Sequence, residues 1–284
     1  MPETPFPLFH NQLPLVPEAG KWNELHLYTG SQCNRACSFC CVYGEPGGGY
    51  APWSEPALDQ ALRLVAKRGS LKFYGGEPTL DTPNLLWAME YLRRSGFAGV
   101  FTIFSNGIRA RSLVQILEGD TDTLAVLNYS IATGRGEEPL PDAARIRLQE
   151  WAARNPERLF VSHDFVIPVG RQEGGQAFAE NGSEPTKCFR CFPVLTSSGL
   201  LHACPFAVEE DRPHYHLGNT ETDAATAQER FQQFLQWMTE VLEPRAEASG
   251  INACTLCVSR TASLDSPYST SRYSERAGTP LPVL

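Results

Sequence analysis

From Trp22 onward, short apolar runs recur between stretches whose apolar positions repeat every three to four residues. The runs Glu24–Tyr28, Leu71–Tyr74, Val100–Phe104, Leu124–Ser130 and Leu159–Ile167 have the length and β-branched or aromatic content of strands. Between them, Ser54–Arg68, Pro83–Ser95, Arg111–Glu118 and Asp142–Arg154 carry the helical period. Ser54 is placed as an N-cap with Pro56 in the first turn, and Gly69 and Gly96 stand where helices stop. Strand–helix repetition predicts an α/β fold with a parallel sheet joined by right-handed crossovers. A closed eightfold barrel needs about 250 residues. The repeating part, 21–169, holds five strands with room for a sixth, so a partial, open barrel is expected.

The pattern then changes. Residues 170–186 are rich in Gly, Glu, Asn and Ser and read as a linker. Phe192–Leu195 and Leu200–Ala203 flank Thr196-Ser197-Ser198-Gly199, a hairpin with glycine at its turn. Ala224–Ala248 reads as one amphipathic helix with Phe231, Phe234, Leu235, Met238 and Leu242 on a face. The expected organisation is an extended arm over 1–20, which contains five prolines, and a barrel over 21–169. The linker over 170–186 leads to a small hairpin-plus-helix domain over 187–257. A tail rich in Ser, Thr, Arg and Pro follows over 258–284, wrapping the surface or disordered.

Charge narrows the partners. The 284 residues carry 32 acidic and 24 basic side chains, a net charge of -8, so a nucleic-acid footprint is not expected. No apolar run approaches a membrane span, and Met1-Pro2-Glu3-Thr4-Pro5 lacks the features of a signal peptide. A cytoplasmic protein is expected. In that reducing compartment the nine cysteines, at 33, 37, 40, 41, 188, 191, 204, 254 and 257, read as metal ligands rather than disulfides.

Cys33, Cys37 and Cys40 lie on one loop just after the first strand. Soft thiolates so spaced suit an iron–sulfur cluster, zinc or copper(I). Zinc would want a fourth ligand, and Cys41 is too close to Cys40 in sequence to converge on the same ion. Three cysteines on a cubane leave one iron open. This CxxxCxxC spacing, with the aromatic Phe39 before the third cysteine, resembles the signature of the radical S-adenosylmethionine superfamily. Gly75-Gly76-Glu77-Pro78-Thr79 after the second strand resembles that superfamily's GGEP motif, and Ser105-Asn106-Gly107 after the third its ribose-contact motif. Each alone is only a turn. All three sit at C-terminal strand ends, where such folds bind ligands. The resemblance implies that Cys33, Cys37 and Cys40 hold a [4Fe–4S] cluster whose open iron is chelated by S-adenosylmethionine. Gly75, Gly76 and Glu77 would meet the methionyl ammonium, with Pro78 completing the motif and Phe39 near the cofactor. Ser105 and Asn106 would bind ribose, while Ser130, Val166 and Ile167 would flank the nucleoside.

The C-terminal third carries Cys188-x2-Cys191, Cys204 and Cys254-x2-Cys257. Ten residues separate Cys188 from Gly199, and four separate Gly199 from Cys204. This spacing, Leu217-Gly218-Asn219 and the closing CxxC resemble the short auxiliary-cluster extension called a twitch domain, related to the longer SPASM domain. The resemblance implies a second [4Fe–4S] cluster on Cys188, Cys204, Cys254 and Cys257. The longer pattern would need a cysteine where Ser263 stands. Cys191 is surplus in this scheme. The run Cys188-x2-Cys191-x12-Cys204 is also similar to the three-cysteine arrangement of the molybdenum-cofactor cyclase, so Cys191 is an alternative ligand to Cys188. A structural zinc ribbon is the plainer account of the set.

Weaker signals are Asp164, a strand residue placed as base or substrate contact, with His163 on the opposite face. His214 and His216 flank Tyr215, and Tyr43, Glu45 and Arg171 lie near the expected site. By prevalence among auxiliary-cluster enzymes of this size, the resemblance implies oxidative modification of a peptide, such as a ribosomally made precursor. Dehydrogenation of a small molecule, such as an aminocyclitol or sugar, is the alternative. A peptide enzyme starting its barrel within twenty residues of the N-terminus would use a separate leader-binding protein or bind its substrate directly. A reductant such as flavodoxin or ferredoxin would supply electrons.

Overall fold

The computed structural model describes residues 5–11, 13, 15–128, 131–132, 138–162, 165–166, 178–179, 191–206, 208, 215–250 and 253–258. Of these, 165–166, 178–179, 254, 255 and 258 are described as backbone only. Strands β1 (Trp22–Tyr28), β2 (Val65–Tyr74), β3 (Val100–Ser105), β4 (Thr123–Leu127) and β5 (Leu159–Val161) pair in sequence order, each parallel to the next. Helices α1 (Glu55–Leu64), α2 (Thr82–Arg94), α3 (Ala110–Gly119) and α4 (Asp142–Arg154) alternate with them. Leu25, Leu27, Leu71, Phe73, Phe101 and Ile103, the alternate residues facing one way, are fully buried in one continuous core with α1–α3. The opposite face carries Glu24, His26, Tyr28, Lys72, Tyr74, Thr102 and Phe104, and the cofactor-type motifs follow directly from its strand ends.

Two helix and strand limits differ from the sequence reading. The first helix ends at Leu64 rather than Arg68, and β2 begins at once with Val65 paired to Trp22. The register then jumps to Glu24 opposite Ser70, so the intervening residues bulge. Gly69 sits in that bulge, where a Cβ would stand 2.7 Å from the Asn23 carbonyl oxygen. It marks a close strand approach and not a helix stop. Gly96, at φ 101°, does follow the end of α2 as expected. The stretch Leu159–Ile167 is not one strand. Phe165–Val166 (β6) pairs antiparallel with Phe178–Ala179 (β7), which lies inside the segment read as a linker.

The N-terminal arm is extended and packed. Phe6 is buried, Leu8 pairs parallel with Val161, and the Phe9 N–H donates to the Val161 carbonyl at 2.8 Å. Residues 7–9 therefore cover the open edge of β5, the place expected for a sixth barrel strand.

The C-terminal hairpin continues the same sheet. Strand β8 (Val194–Thr196) runs parallel to β1, with Leu27 opposite Leu195, and β9 (Leu201–His202) and β10 (His216–Gly218) extend it antiparallel. The sheet order is β10-β9-β8-β1-β2-β3-β4-β5. The predicted long helix forms as α5 (Ala224–Trp237), a π turn over Met238–Leu242, and α6 (Glu243–Ser249). Pro244 lacks the N–H that would bond the carbonyl four residues back, and the wider turn just before it accommodates the loss. Phe231, Phe234, Met238 and Leu242 are buried as expected, together with Trp237. A short helix, α7 (Ala253–Val258), follows. No helix among the described residues is long and apolar enough to cross a membrane.

On the open face of β1 and β2, Glu24 accepts from Lys72 Nζ at 2.6 Å and from His26 Nε2 at 3.0 Å. Asn11 from the arm donates to Glu24 and accepts from Lys72, both at 3.1 Å. Burial alone would raise the Glu24 pKa, but the His26 hydrogen bond and the Lys72 charge outweigh it and bring it from 4.5 to about 2. Burial lowers His26 from 6.5 and keeps it neutral. Both shifts have the same consequence. The unfolded chain takes up a proton at His26 below pH 6.5 and at Glu24 below pH 4.5, while the folded chain resists until lower pH. Stability is expected to fall from pH 6.5 downward, with Glu24 alone accounting for roughly 3 kcal/mol between pH 4.5 and 2. Urea midpoints across this range test it. The double variant Glu24→Gln/Lys72→Met should flatten the limb below pH 4.5, and an unchanged slope would assign acid loss to other groups.

Candidate active site

The loop after β1 folds back on itself before it presents its thiols. Gln32 pairs with Glu45 and Gly30 with Tyr50, and the Cys33 N–H donates to the Glu45 carbonyl at 2.9 Å. The Cys40 N–H donates to the Cys37 carbonyl at 3.2 Å, a turn that keeps these two cysteines on one side. Gly44 closes the cradle. A Cβ on it would lie 3.3 Å from the Cys33 Cβ, 3.4 Å from the Cys40 Sγ and 3.1 Å from the Gly76 Cα. Its N–H donates to the Cys40 Sγ at 3.1 Å. Sequence reading passed over Gly44, although its place four residues beyond Cys40 was visible.

The second motif is stitched directly to the first. The Gly76 N–H donates to the Gly30 carbonyl at 2.8 Å and the Glu77 N–H to the Gln32 carbonyl at 2.9 Å. A Cβ at Gly76 would stand 2.1 Å from the Gln32 carbonyl oxygen, and Gly75 adopts φ 149°. The glycines are therefore required by the approach of the cysteine loop's own backbone. Pro78 begins a 3-10 turn over Pro78–Asp81.

Glu77, 2% exposed, is bound on both oxygens. Its Oε1 accepts from the Thr79 N–H at 3.1 Å, the Thr79 hydroxyl at 2.6 Å and the Ser105 hydroxyl at 2.9 Å. Its Oε2 accepts from the Asn106 N–H at 2.7 Å. The carboxyl thus ties the Gly-Gly-Glu-Pro loop to Ser105-Asn106, a linkage that spacing in sequence did not reveal. Burial pushes its pKa up, against the pull of these four donors. Asn106 Nδ2 donates to Asn34 Oδ1 at 2.7 Å and lies 3.7 Å from the Cys33 Sγ. All three motifs meet around Cys33.

The donor set fits an iron–sulfur cluster. Burial first, and then the nearby Glu77, Cys40 and Cys37 charges, push the Cys33 thiol up to about 11, against the Arg35 N–H that lowers it. Without metal it stays protonated at neutral pH, and metal binding would release that proton. Three soft thiolate donors on one loop match the ligand chemistry of such a cluster.

In the second set, Cys204 and Cys257 are buried and Cys191 is partly buried. Tyr215 relates the first two. Its carbonyl accepts from the Ala203 N–H at 2.8 Å, while its hydroxyl donates to the Cys257 carbonyl and lies 3.2 Å from the Cys257 Sγ. Cys188, Ser130, Ile167, Asp164, His163, Arg171 and His214 lie outside the described residues, as do the side chains of Cys254 and Val166. Phe39 is half-buried beside the cradle, and Tyr43 takes φ 54° just before Gly44.

No protein-family profile matches the chain, and no curated protein sequence matches it. Solved structures do. A hexahistidine-tagged anSMEcpe with bound AdoMet is similar at 14% identity over 82% of this chain and 84% of that chain, with a TM-score of 0.53. Native anSMEcpe with bound AdoMet and Cp18Cys peptide is similar at 15% identity over 74% and 82%, with a TM-score of 0.52. BtrN in complex with AdoMet and 2-DOIA matches at 18% identity over 82% and 92%, with a TM-score of 0.47. With its three motifs joined at the C-terminal ends of β1, β2 and β3, this chain has the fold of the radical S-adenosylmethionine enzymes.

Proposed function

We propose that this protein is a radical S-adenosylmethionine enzyme that oxidatively modifies a peptide. The observation that carries the chemistry is the joining of the cysteine cradle, the Gly-Gly-Glu-Pro loop and Ser105-Asn106 through Glu77 and Gly76 at one end of the barrel. When bound, a [4Fe–4S] cluster with S-adenosylmethionine supplies a 5′-deoxyadenosyl radical able to abstract hydrogen. Cys33, Cys37 and Cys40 hold that cluster. Gly75, Gly76 and Ser105-Asn106 shape the cofactor's seat, and Asn106 must exchange its Asn34 bond to reach a ribose hydroxyl. The solved structure with a bound peptide, to which this chain is similar, favours a peptide over a small molecule.

Cys188, Cys204, Cys254 and Cys257 are proposed to hold a second [4Fe–4S] cluster, with Cys191 spare. These four thiols would supply all the ligands of such a cluster, which would offer a one-electron acceptor for the substrate radical. The test uses anaerobically reconstituted protein and any short precursor peptide found encoded beside its gene, read by mass spectrometry. Wild type should form 5′-deoxyadenosine and a peptide lighter by two hydrogens. Cys254→Ala/Cys257→Ala should keep cofactor cleavage and lose the oxidised product, and Cys191→Ala should lose less iron than Cys188→Ala. Cleavage stimulated by an aminocyclitol and by no peptide would favour small-molecule dehydrogenation instead.

A further inference from the structure

The barrel's open face carries a tier of aromatic rings directly beneath the three loops. Tyr74 immediately precedes Gly75, and Phe104 immediately precedes Ser105. Across β3, β4 and β5 the tier runs Phe104, Val126 and Phe160, paired in register, with no polar side chain among them. Phe9 of the arm joins it, its ring 5.6 Å from Phe160 and 6.5 Å from Phe104. On the other side, the His26 ring stacks on Phe104 at 6.5 Å and on Phe192 at 5.2 Å, with Tyr74 edge-on at 5.5 Å. These six rings form one connected surface. Each is only partly buried, whereas the residues facing the helices from the same strands are fully buried.

We infer that this tier is the floor of the substrate chamber and selects an apolar side chain, aromatic or branched aliphatic, on the peptide. The inference rests on the proposed function and names the residue type that it acts upon. Rings at these spacings offer edges and faces to another apolar group. They offer a polyol little, because each buried hydroxyl without a partner is penalised. Of the polar atoms on this face, the Tyr74 hydroxyl and His26 Nε2 are already engaged, while Thr102 Oγ1, two residues before Phe104, is buried without a partner. Tyr74 donates its hydroxyl to the Pro205 carbonyl at 2.9 Å, and His26 Nε2 is held by Glu24. Phe192 follows Cys191, so the second cysteine segment itself supplies one wall of the chamber. Phe9 supplies another from the arm.

The experiment is equilibrium dialysis of the reconstituted enzyme with S-adenosylmethionine against the peptides acetyl-Gly-Gly-X-Gly-Gly-amide, X being Phe, Leu or Ser, and against scyllo-inosamine. Burying a benzyl or isobutyl group should make X = Phe and X = Leu bind about tenfold or more tighter than X = Ser. Phe104→Ala should remove most of that preference, and Phe104→Leu should restore part of it. With X perdeuterated Phe or Leu, deuterium should appear in 5′-deoxyadenosine. Equal binding of the Ser and Phe peptides, or tighter binding of scyllo-inosamine than of any peptide, would overturn the inference while leaving cofactor chemistry intact. Failure of the reconstituted protein to bind S-adenosylmethionine would overturn the proposed function itself, and this assignment with it.

Discussion

Replacing Cys33, Cys37 and Cys40 together with alanine is expected to remove about half of the roughly eight irons of reconstituted protein and all S-adenosylmethionine cleavage. The three thiols are the only cysteines on the loop that Gly44 clamps against Gly76, apart from Cys41. On the proposed assignment, their removal takes away the seat of the cluster. The loop should otherwise persist, because its shape is set by backbone bonds from Cys33 to Glu45, Gln32 to Gly49 and Gly76 to Gly30. Far-ultraviolet circular dichroism should therefore change little while cleavage disappears. Cys41→Ala is the control and should keep iron and cleavage. Cofactor cleavage surviving in the triple variant would show that the site is misassigned.

The second large effect is expected at Glu77. Each of its oxygens faces donors, so Glu77→Gln places an amide NH2 against either the Asn106 N–H or the Thr79 and Ser105 group. A buried N–H facing another donor loses its bond and keeps its desolvation penalty, about 2–4 kcal/mol for a charge-assisted set such as this. The variant should lower the unfolding midpoint and weaken S-adenosylmethionine binding together, because the loop that is loosened carries Ser105 and Asn106. Denaturant unfolding and cofactor affinity, compared at equal iron content, measure the two. Weaker cofactor binding at unchanged stability would mean instead that the carboxylate turns to the methionyl ammonium. Thr79→Val should reproduce a smaller part of the loss, since it deletes one of the four donors.

The motifs were legible because they are local. Cys33, Cys37 and Cys40 lie within one loop, and Gly75–Thr79 and Ser105–Gly107 are each contiguous, so their types and order show in the chain itself. Strand and helix alternation also showed, because apolar residues repeat with the local period of each element. Helix α1 was read too long because Val65 has helical neighbours in sequence but pairs with Trp22, a contact that local periodicity does not contain. The arm could be read only as extended, with no packing partner, for the same reason, since Leu8 and Phe9 have no pattern until β5 offers them an edge.

What the sequence by itself determined was the succession of β1 to β5 with their helices, the cysteine-rich loop and the two motifs at the strand ends. Side-chain period and spacing are properties of neighbours along the chain, and they survive without a third dimension. Only the tertiary structure decided that β8 lies against β1, so that the hairpin extends the barrel sheet instead of standing apart. It alone showed that Glu77 commits its oxygens to Thr79, Ser105 and Asn106. It alone gathered Phe9, Phe104, Phe160 and Phe192 into one tier, and joined Glu24, His26, Lys72 and Asn11 in one hydrogen-bonded group. Most of these are pairings across tens to well over a hundred residues. Their free energy comes from burial and hydrogen bonding between segments that meet only when the sheet has formed.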